Sequence, residues 1–176
     1  ALQKLGFERV EVLAVDSTTE VVPGISMRAI PSGRPYDDTS MGVMVGATGG
    51  APSVYLEPHT FDMESLERLS ESPTVVLAPL EQVTLFSKRF AMGPGVLAKG
   101  LALADARYYV PTGTDPHKAR GLIRLGLRIR GTDEDLNEAL RACNARAQRI
   151  DLMAGDSLSF TNGASEPELV RVDASP

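Results

Sequence analysis

The stretch that decides the fold runs from residue 38 to residue 86 and reads DTSMGVMVGATGGAPSVYLEPHTFDMESLERLSESPTVVLAPLEQVTLF. Residues 41–45 and 53–57 favour β-strands, and the Gly-rich turn between them supplies the positive φ angles of a hairpin. Thr60 is positioned to cap a short helix that a proline ends, and residues 74–77 read as a buried strand. The sequence therefore predicts a hairpin, helix and strand unit against which the rest of the chain packs.

Further β-favouring segments lie on both sides of this unit, at residues 7–15, 20–30, 107–110 and 122–130. Thr132 caps the best helix, whose first turn is acidic. Six to eight strands in hairpin-like succession, with two helices, indicate a mainly β (α+β) fold in the form of a small antiparallel barrel with helices packed on it. We expect one domain over residues 1–155, including the C-terminal helix, and a C-terminal tail over residues 156–176, with one possible added strand in the tail.

Composition and charge limit the classes of function. The chain has 176 residues, a formal net charge of -5 and a single cysteine, Cys143. An acidic chain with few aromatic residues does not favour nucleic-acid binding, and no apolar run approaches the length of a membrane span. A lone cysteine cannot form an internal disulfide, and the first residues lack the pattern of a signal peptide. We therefore expect a cytoplasmic protein.

Motifs for metals and nucleotides are poorly represented. His59 and His117 lie far apart in sequence, and Cys143 falls on the apolar stripe of the C-terminal helix, so no metal site is predicted. The Gly-rich stretches lack the spacing of a P-loop and read as turns. His59 stands at the start of a predicted helix, where an imidazole either meets a ligand or lies in a surface loop.

An anion site is predicted where this helix begins. The free N–H groups of a helix N-terminus attract anions, and Lys88 or Arg89 supplies positive charge if the loops meet at one end of the barrel. The backbone of residues 41–43 would contact a flat heterocycle, which Gly42 allows to approach closely. The predicted cofactor-binding residues are Thr39, Ser40, Met41, Gly42, Val43, His59, Thr60, Lys88 and Arg89.

The motifs of residues 38–86 resemble the FMN-binding split-barrel proteins, relatives of the flavin reductase and pyridoxamine-phosphate oxidase barrels. The motifs that carry the resemblance are Ser40-Met41-Gly42-Val43, Thr60-Phe61, a helix around Leu66, Val75-Val76-Leu77 and Leu85-Phe86. The resemblance implies a split antiparallel β-barrel and a homodimer with FMN at the subunit interface. The chain departs from the family at Ala78, Pro79 and Leu80, where relatives carry polar residues.

By this resemblance the chain is expected to be an FMN-binding flavoprotein of the flavin reductase-like type, an oxidoreductase-like protein acting on a small molecule. The flavin would carry the redox chemistry, and His59 is the first candidate for a catalytic proton donor. Two alternatives stay open. One is a non-catalytic binding or assembly protein on the same barrel, with lost or altered flavin binding. The other is a small-molecule enzyme that uses His59 or His117 as a general base without flavin.

Overall fold

The structure is a computed structural model, and it describes residues 2–8, 10–36, 40–48, 52–112, 123–161 and 166–171. A short 3-10 turn, Leu2–Leu5, precedes the first strand. The strands are β1 Thr18–Val22, β2 Ile25–Pro31, β3 Met41–Ala47, β4 Ser53–Leu56, β5 Val75–Pro79, β6 Gln82–Leu85, β7 Lys88–Arg89, β8 Tyr108–Thr112, β9 Leu127–Arg130, β10 Gln148–Arg149, β11 Ser157–Ser159 and β12 Glu168–Val170. The helices are α1 Met63–Glu67, α2 Pro94–Leu103, α3 Ile123–Gly126 and α4 Asp133–Ala142.

The main sheet has seven strands in the order β1-β2-β3-β4-β5-β8-β10. Its first half, from β1 to β4, is antiparallel, whereas β4, β5, β8 and β10 run parallel to one another. A parallel connection needs a crossover of a dozen or more residues. Helix α1 lies in the crossover from β4 to β5, and α2 lies in the crossover from β5 to β8.

The prediction of a mainly β fold with helices is confirmed, and the prediction of a split antiparallel barrel is wrong. In the described part of the chain the seven-stranded sheet is open and mixed, with β1 and β10 as its outer strands. The error came from reading the strands as consecutive hairpins. The predicted helix near Leu66 is α1, and α2 was not predicted; each lies in a crossover, so the strands that these two crossovers join are parallel neighbours.

Two smaller sheets complete the described structure. Strands β7, β6 and β9 form one of them, and β11 pairs with β12 in the other. The predicted long strand over residues 122–130 is only partly correct, since Ile123–Gly126 is a turn of helix and the strand is Leu127–Arg130. The sequence indicated one possible strand in the tail, and the described residues of the tail hold two strands, β11 and β12.

Helix α4 begins where the sequence predicts. The Thr132 hydroxyl accepts a hydrogen bond from the Asp135 N–H at 3.2 Å, and the Asp135 carboxylate accepts one from the Thr132 N–H at 2.9 Å. This reciprocal capping box satisfies N–H groups that would otherwise lack partners. The helix ends at Ala142, with Cys143 as its C-cap.

The main core lies on the face of the seven-stranded sheet that α1, α2 and α4 cover. Alternate residues of the strands point to this face, and apolar stripes of the helices meet them. The fully buried large apolar side chains of this cluster are Ile30, Tyr55, Leu66, Val76, Met92, Leu97, Leu101, Tyr109 and Leu136. Ala78 and Leu80, two of the positions at which the chain departs from the flavoprotein family, also belong to this core. Within the described residues, no helix combines the length and the apolar character needed to cross a membrane.

Two glycines of α2 provide a paired test of this packing. A Cβ atom at Gly100 would lie 2.8 Å from Cγ of the buried Phe61 ring and closer still to its Cδ2, whereas a Cβ atom at Gly95 would meet nothing within 4 Å. We predict that Gly100→Ala lowers the free energy of unfolding by about 1–3 kcal/mol through overpacking. Gly95→Ala should raise it by roughly 0.5 kcal/mol, because alanine loses less backbone entropy in a helix.

Urea unfolding followed by circular dichroism measures both changes on the same helix. Equal effects of the two substitutions would contradict the close contact between Phe61 and α2.

Candidate functional site

The candidate site lies beyond the carboxyl ends of β4 and β5. Ligands of open sheets with parallel strands bind in this position, because the loops that follow the strands converge there. The loop after β4 carries Glu57, His59 and Thr60, and the chain after β5 begins with Leu80 and Glu81. The residues that follow β8, including His117, lie outside the described residues.

Glu57 is the buried centre of this edge, with none of its surface exposed. Its carboxylate accepts hydrogen bonds from four donors. Those donors are the Ser32 hydroxyl at 2.9 and 3.1 Å, the Tyr55 hydroxyl at 3.2 Å, and the backbone N–H groups of His59 at 2.9 Å and Thr60 at 3.2 Å. A buried carboxylate is stable only when its oxygens are satisfied in this way. Glu57 therefore joins the loop after β2 to the loop after β4.

The alternation of strand β4 explains why Glu57 points inward. Ser53, Tyr55 and Glu57 are separated by two residues each, so their side chains lie on one face of the sheet, and all three are buried. The neighbouring strand leaves room for them at Gly42. A Cβ atom there would lie 2.6 Å from Cε2 of Tyr55 and 2.9 Å from Oε2 of Glu57. The space beside Gly42, expected to admit a flat heterocycle, is filled by these two side chains.

Backbone contacts reinforce the junction between the two loops. The Gly33 N–H donates to the Thr60 carbonyl at 2.8 Å, and Ser32 forms an isolated antiparallel bridge with Phe61. Helix α1 then begins with Asp62 as its N-cap, whose carboxylate accepts from the Ser65 N–H at 3.1 Å. A carboxylate already occupies the end of this five-residue helix. The predicted cap at Thr60 is thus displaced by two residues.

The environment of Glu57 changes its ionisation. Burial raises the pKa of the Glu57 carboxyl from its ordinary value of 4.5 to about 7. Hydrogen bonds from His59, Ser32, Tyr55 and Thr60 act in the opposite direction, because they stabilise the charged form. At neutral pH this carboxyl is therefore divided between its protonated and ionised forms.

His59 is held against Tyr36, a residue of the loop after β2. The two rings are stacked with centroids 4.2 Å apart and an interplanar angle of 16°. The Tyr36 hydroxyl donates to the Arg89 carbonyl at 3.4 Å, and its ring lies 6.5 Å from that of Phe90. Tyr36 thus connects the loop after β4, which carries Glu57 and His59, to the hairpin of β6 and β7.

Two adjoining grooves open beside Tyr36, with volumes of about 460 and 410 Å³. Both are lined by Pro35, Ser87 and Arg89. We call this surface the cationic groove and define it by Arg34, Pro35, Tyr36, Ser87, Lys88, Arg89 and Phe90.

The small sheet adds positive charge next to the groove. Thr84 of β6 is paired with Arg89 of β7 on one side and with Arg128 of β9 on the other, so the two arginine side chains leave the sheet on the same face. Both arginines are exposed. With strands spaced by nearly 5 Å, their Cα atoms are about 10 Å apart, within reach of one shared anion.

The structure brings together only some of the predicted site residues. His59 and Thr60 donate backbone hydrogen bonds to the Glu57 carboxylate, and Lys88 and Arg89 line the cationic groove. Met41 and Val43 point to the sheet face opposite Gly42. Ser40 makes backbone hydrogen bonds with Tyr36 and Ser32, and Thr39 lies outside the described residues. That these residues bind a ligand stays a prediction.

Two central residues were missed from sequence. Glu57 was treated as the end of a strand, although its spacing from Ser53 and Tyr55 already placed a carboxylate in line with the inward-facing positions. Tyr36 had no detectable signal, because its contacts with His59 and Arg89 join positions 23 and 53 residues away.

No family model and no curated protein matches this sequence. Among solved structures, the chain is similar to Igni18, a metallo hydrolase from the hyperthermophilic archaeon Ignicoccus hospitalis, with a TM-score of 0.56 and 15% identity over 96% of this chain and 63% of that one. It is also similar to a putative metal-dependent hydrolase from Parabacteroides distasonis, with a TM-score of 0.54 and 18% identity over 86% of this chain and 61% of that one. The chain thus spans about three-fifths of the length of these two proteins. Likeness at this level shows the fold alone.

The comparisons overturn the flavoprotein interpretation. The structural neighbours have a metal-dependent hydrolase fold, so the FMN-binding split-barrel resemblance, the flavin reductase-like function and FMN as cofactor are all wrong. The short motifs behind the resemblance are strand and turn motifs, which different β-rich folds share.

These two neighbours are described as metal-dependent proteins. A zinc centre needs at least three His, Cys, Asp or Glu ligands. In the part of the chain that the structure describes, no group of three or more such residues is placed to hold a metal ion. His59 is stacked on Tyr36, Glu57 is saturated by four donors, and Asp62 caps α1. The described residues do not fit a metal centre, and we derive no chemistry through one.

The raised pKa of Glu57 predicts a specific dependence of stability on pH. Between pH 4.5 and pH 7 the unfolded chain ionises this carboxyl while the folded chain keeps it protonated, so rising pH destabilises the fold. Relative to Glu57→Gln, the wild-type free energy of unfolding should fall by up to about 3 kcal/mol across this window and stay level above it. Denaturant unfolding at a series of pH values measures the difference.

Glu64→Gln is the matched control. Glu64 is exposed and pairs with Arg68 on the surface of α1. We therefore expect the free energy of unfolding of wild type, measured relative to Glu64→Gln, not to fall in this way between pH 4.5 and pH 7. If the free energy of unfolding of wild type rises relative to that of Glu57→Gln between pH 4.5 and pH 7, the pKa of Glu57 is not raised.

Proposed function

We propose that this chain binds a small phosphorylated ligand in the cationic groove, and that it does so without a metal ion. The observation that carries the proposal is the convergence of Arg34, from the loop after β2, and of Lys88 and Arg89, from strand β7, on adjoining grooves of about 460 and 410 Å³. Volumes of this size are typical of small-molecule sites.

The charge distribution supports an anionic ligand. The whole chain carries a formal charge of -5, yet positively charged side chains cluster at this surface. Arg89 on β7 and Arg128 on β9 flank Thr84 from the two sides of β6, and like charges at this separation repel each other. Among the residues that the structure describes, no carboxylate forms an ion pair with Lys88, Arg89 or Arg128. A bound anion would remove this repulsion.

The donors at the groove favour phosphate over other anions. Guanidinium groups form paired hydrogen bonds with phosphate oxygens, and a lysine ammonium adds a compact charge. The Ser87 and Thr84 hydroxyls line the same surface and offer further donors. A phosphate group, with its several oxygens, uses more of these donors than a single carboxylate does.

The other wall of the groove favours an organic group attached to the phosphate. Tyr36 and Phe90 line it together with the Pro35 ring. Tyr36 is fixed by its stack on His59, and His59 is fixed by its backbone bond to Glu57. We therefore propose His59 as a positioning residue and Tyr36 as the ring that contacts an aromatic or flat part of the ligand.

The neighbours of similar fold are described as hydrolases. For this chain we propose ligand binding alone. Their described activity depends on a metal, and the described residues of this chain do not supply the ligands for one. Binding needs only the charges and rings of the cationic groove.

Phenyl phosphate and inorganic phosphate are suitable probes for isothermal titration calorimetry. We expect Arg89→Ala and Lys88→Ala each to weaken binding of both probes about tenfold or more, since each removes a charged donor. Tyr36→Ala should weaken phenyl phosphate and leave inorganic phosphate unchanged. Arg68→Ala, which removes an exposed arginine paired with Glu64 on α1, is the matched control and should bind both probes normally.

Treatment with EDTA before titration tests the metal-free part of the proposal. Unchanged affinity and the absence of stoichiometric zinc in the purified protein are expected. Zinc at one equivalent whose removal abolishes binding would overturn it. Equal affinities of wild type and Arg89→Ala for both probes would overturn the assignment of the groove.

A further inference from the structure

A smaller cavity lies at the opposite end of β4 from Glu57. It has a volume of about 150 Å³ and is bounded by the sheet face that carries the main core and by the segment that follows α1. We call it the Arg28 cavity and define it by its polar lining residues, which are Thr18, Ser26, Arg28, Ser53, Ser70 and Glu71. Among the described residues, none lines both this cavity and the cationic groove.

The register of the strands explains why this end of the sheet has room for a cavity. Ser26 of β2, Gly46 of β3 and Ser53 of β4 are direct neighbours in one row and point to the same face of the sheet. The next row holds larger residues, among them Arg28 and Met44, which are paired with each other. A Cβ atom at Gly46 would lie 2.9 Å from Cβ of Ser53, so a larger residue would crowd this row. Three small residues side by side therefore form a depression in the sheet.

The guanidinium group of Arg28 brings an unpaired donor to the cavity. Its Nε atom is buried and donates no hydrogen bond within the described part of the chain. The Asp16 carboxylate lies 3.8 Å from Nη2 of Arg28, beyond hydrogen-bond distance, and the Asp16 side chain is about half exposed. An ion pair of this length and exposure contributes little to stability. A buried N–H group without an acceptor is costly, so a ligand oxygen that accepts from Nε would be stabilised.

Hydroxyl groups add further hydrogen-bonding positions. Ser53 is buried, and its Oγ accepts a hydrogen bond from the Thr74 N–H at 3.3 Å. This leaves the Ser53 hydroxyl hydrogen available to donate to a ligand. Thr18 and Ser70 are exposed and place two more hydroxyls at the mouth of the cavity.

A carboxylate also stands at the mouth of the cavity. Glu71 is exposed, and it forms no ion pair with the basic residues that the structure describes. Arg28 and Glu71 thus place opposite charges on one small cavity. A doubly charged anion would be repelled by Glu71 and Asp16, and a simple cation would be repelled by Arg28. A ligand that carries both charges complements the pair.

We propose that the Arg28 cavity binds a small zwitterionic amino acid. The carboxylate of the ligand accepts hydrogen bonds from Arg28 Nε and from the Ser53 hydroxyl, because hydrogen bonds from a cation to a carboxylate are strong. The ammonium group of the ligand lies at the mouth, where the Glu71 carboxylate and the two exposed hydroxyls accept from it. A cavity of about 150 Å³ holds a ligand of roughly six non-hydrogen atoms, which is the size of alanine.

L-Alanine, acetate and methylammonium are suitable probes for isothermal titration calorimetry, because acetate and methylammonium each carry only one of the two charges. We expect L-alanine to bind at least about tenfold more tightly than either of them. Glu71→Gln should weaken L-alanine about tenfold without weakening acetate, whereas Arg28→Gln should weaken both. Glu67→Gln, which neutralises another exposed carboxylate, is the matched control and should bind L-alanine normally.

The exposed position of Glu71 keeps the test decisive if Arg28→Gln does not fold. An excess of inorganic phosphate should not compete with L-alanine, because the cationic groove is a separate surface. If L-alanine does not bind at up to about 10 mM, the cavity holds only water and the proposal is wrong. Equal affinities of wild type and Glu71→Gln for L-alanine, equal affinities of wild type for L-alanine and acetate, or competition by phosphate would also overturn it.

Discussion

The burial of the Glu57 carboxylate is the constraint on which the candidate site depends. Removing a charged group from water is costly, and the cost is offset only when each oxygen finds donors. Here the donors come from the loop after β2, from β4 itself and from the backbone of the loop after β4. The carboxylate therefore holds two loops in one arrangement. Because His59 is bound to it and Tyr36 is stacked on His59, the same group sets one wall of the cationic groove.

The fold places this constraint at the junction of two kinds of sheet. Strand β4 pairs antiparallel with β3 and parallel with β5, so its carboxyl end meets the loops of both halves. Neighbours with this fold are described as metal-dependent hydrolases, but the described residues of this chain bring no set of three metal ligands together. A hydrogen-bonded carboxylate and a group of cations are the polar features found near this edge. Fold likeness and site chemistry thus lead to different expectations, and the site chemistry has to decide function.

The molecule separates its polar and apolar surfaces. The cationic groove lies beside the small sheet of β6, β7 and β9, where polar side chains alternate with apolar ones. Strands β2, β3 and β4 are apolar throughout on the side that faces away from the main core. This difference follows from the strand period of two, since each side of a sheet is set by every second residue.

Local patterns in the sequence determined several elements of this protein without further information. The acidic first turn and Thr132 placed the start of α4, and strand-like runs identified most strands of the main sheet, because capping and alternation act between residues close in sequence. Only the tertiary structure decided that β4, β5 and β8 are parallel, since the direction of a strand depends on where its crossover packs. It likewise decided that Glu57 is saturated by donors and that Tyr36 meets both His59 and the β6–β7 hairpin. These contacts join residues up to 53 positions apart, and no local preference encodes them.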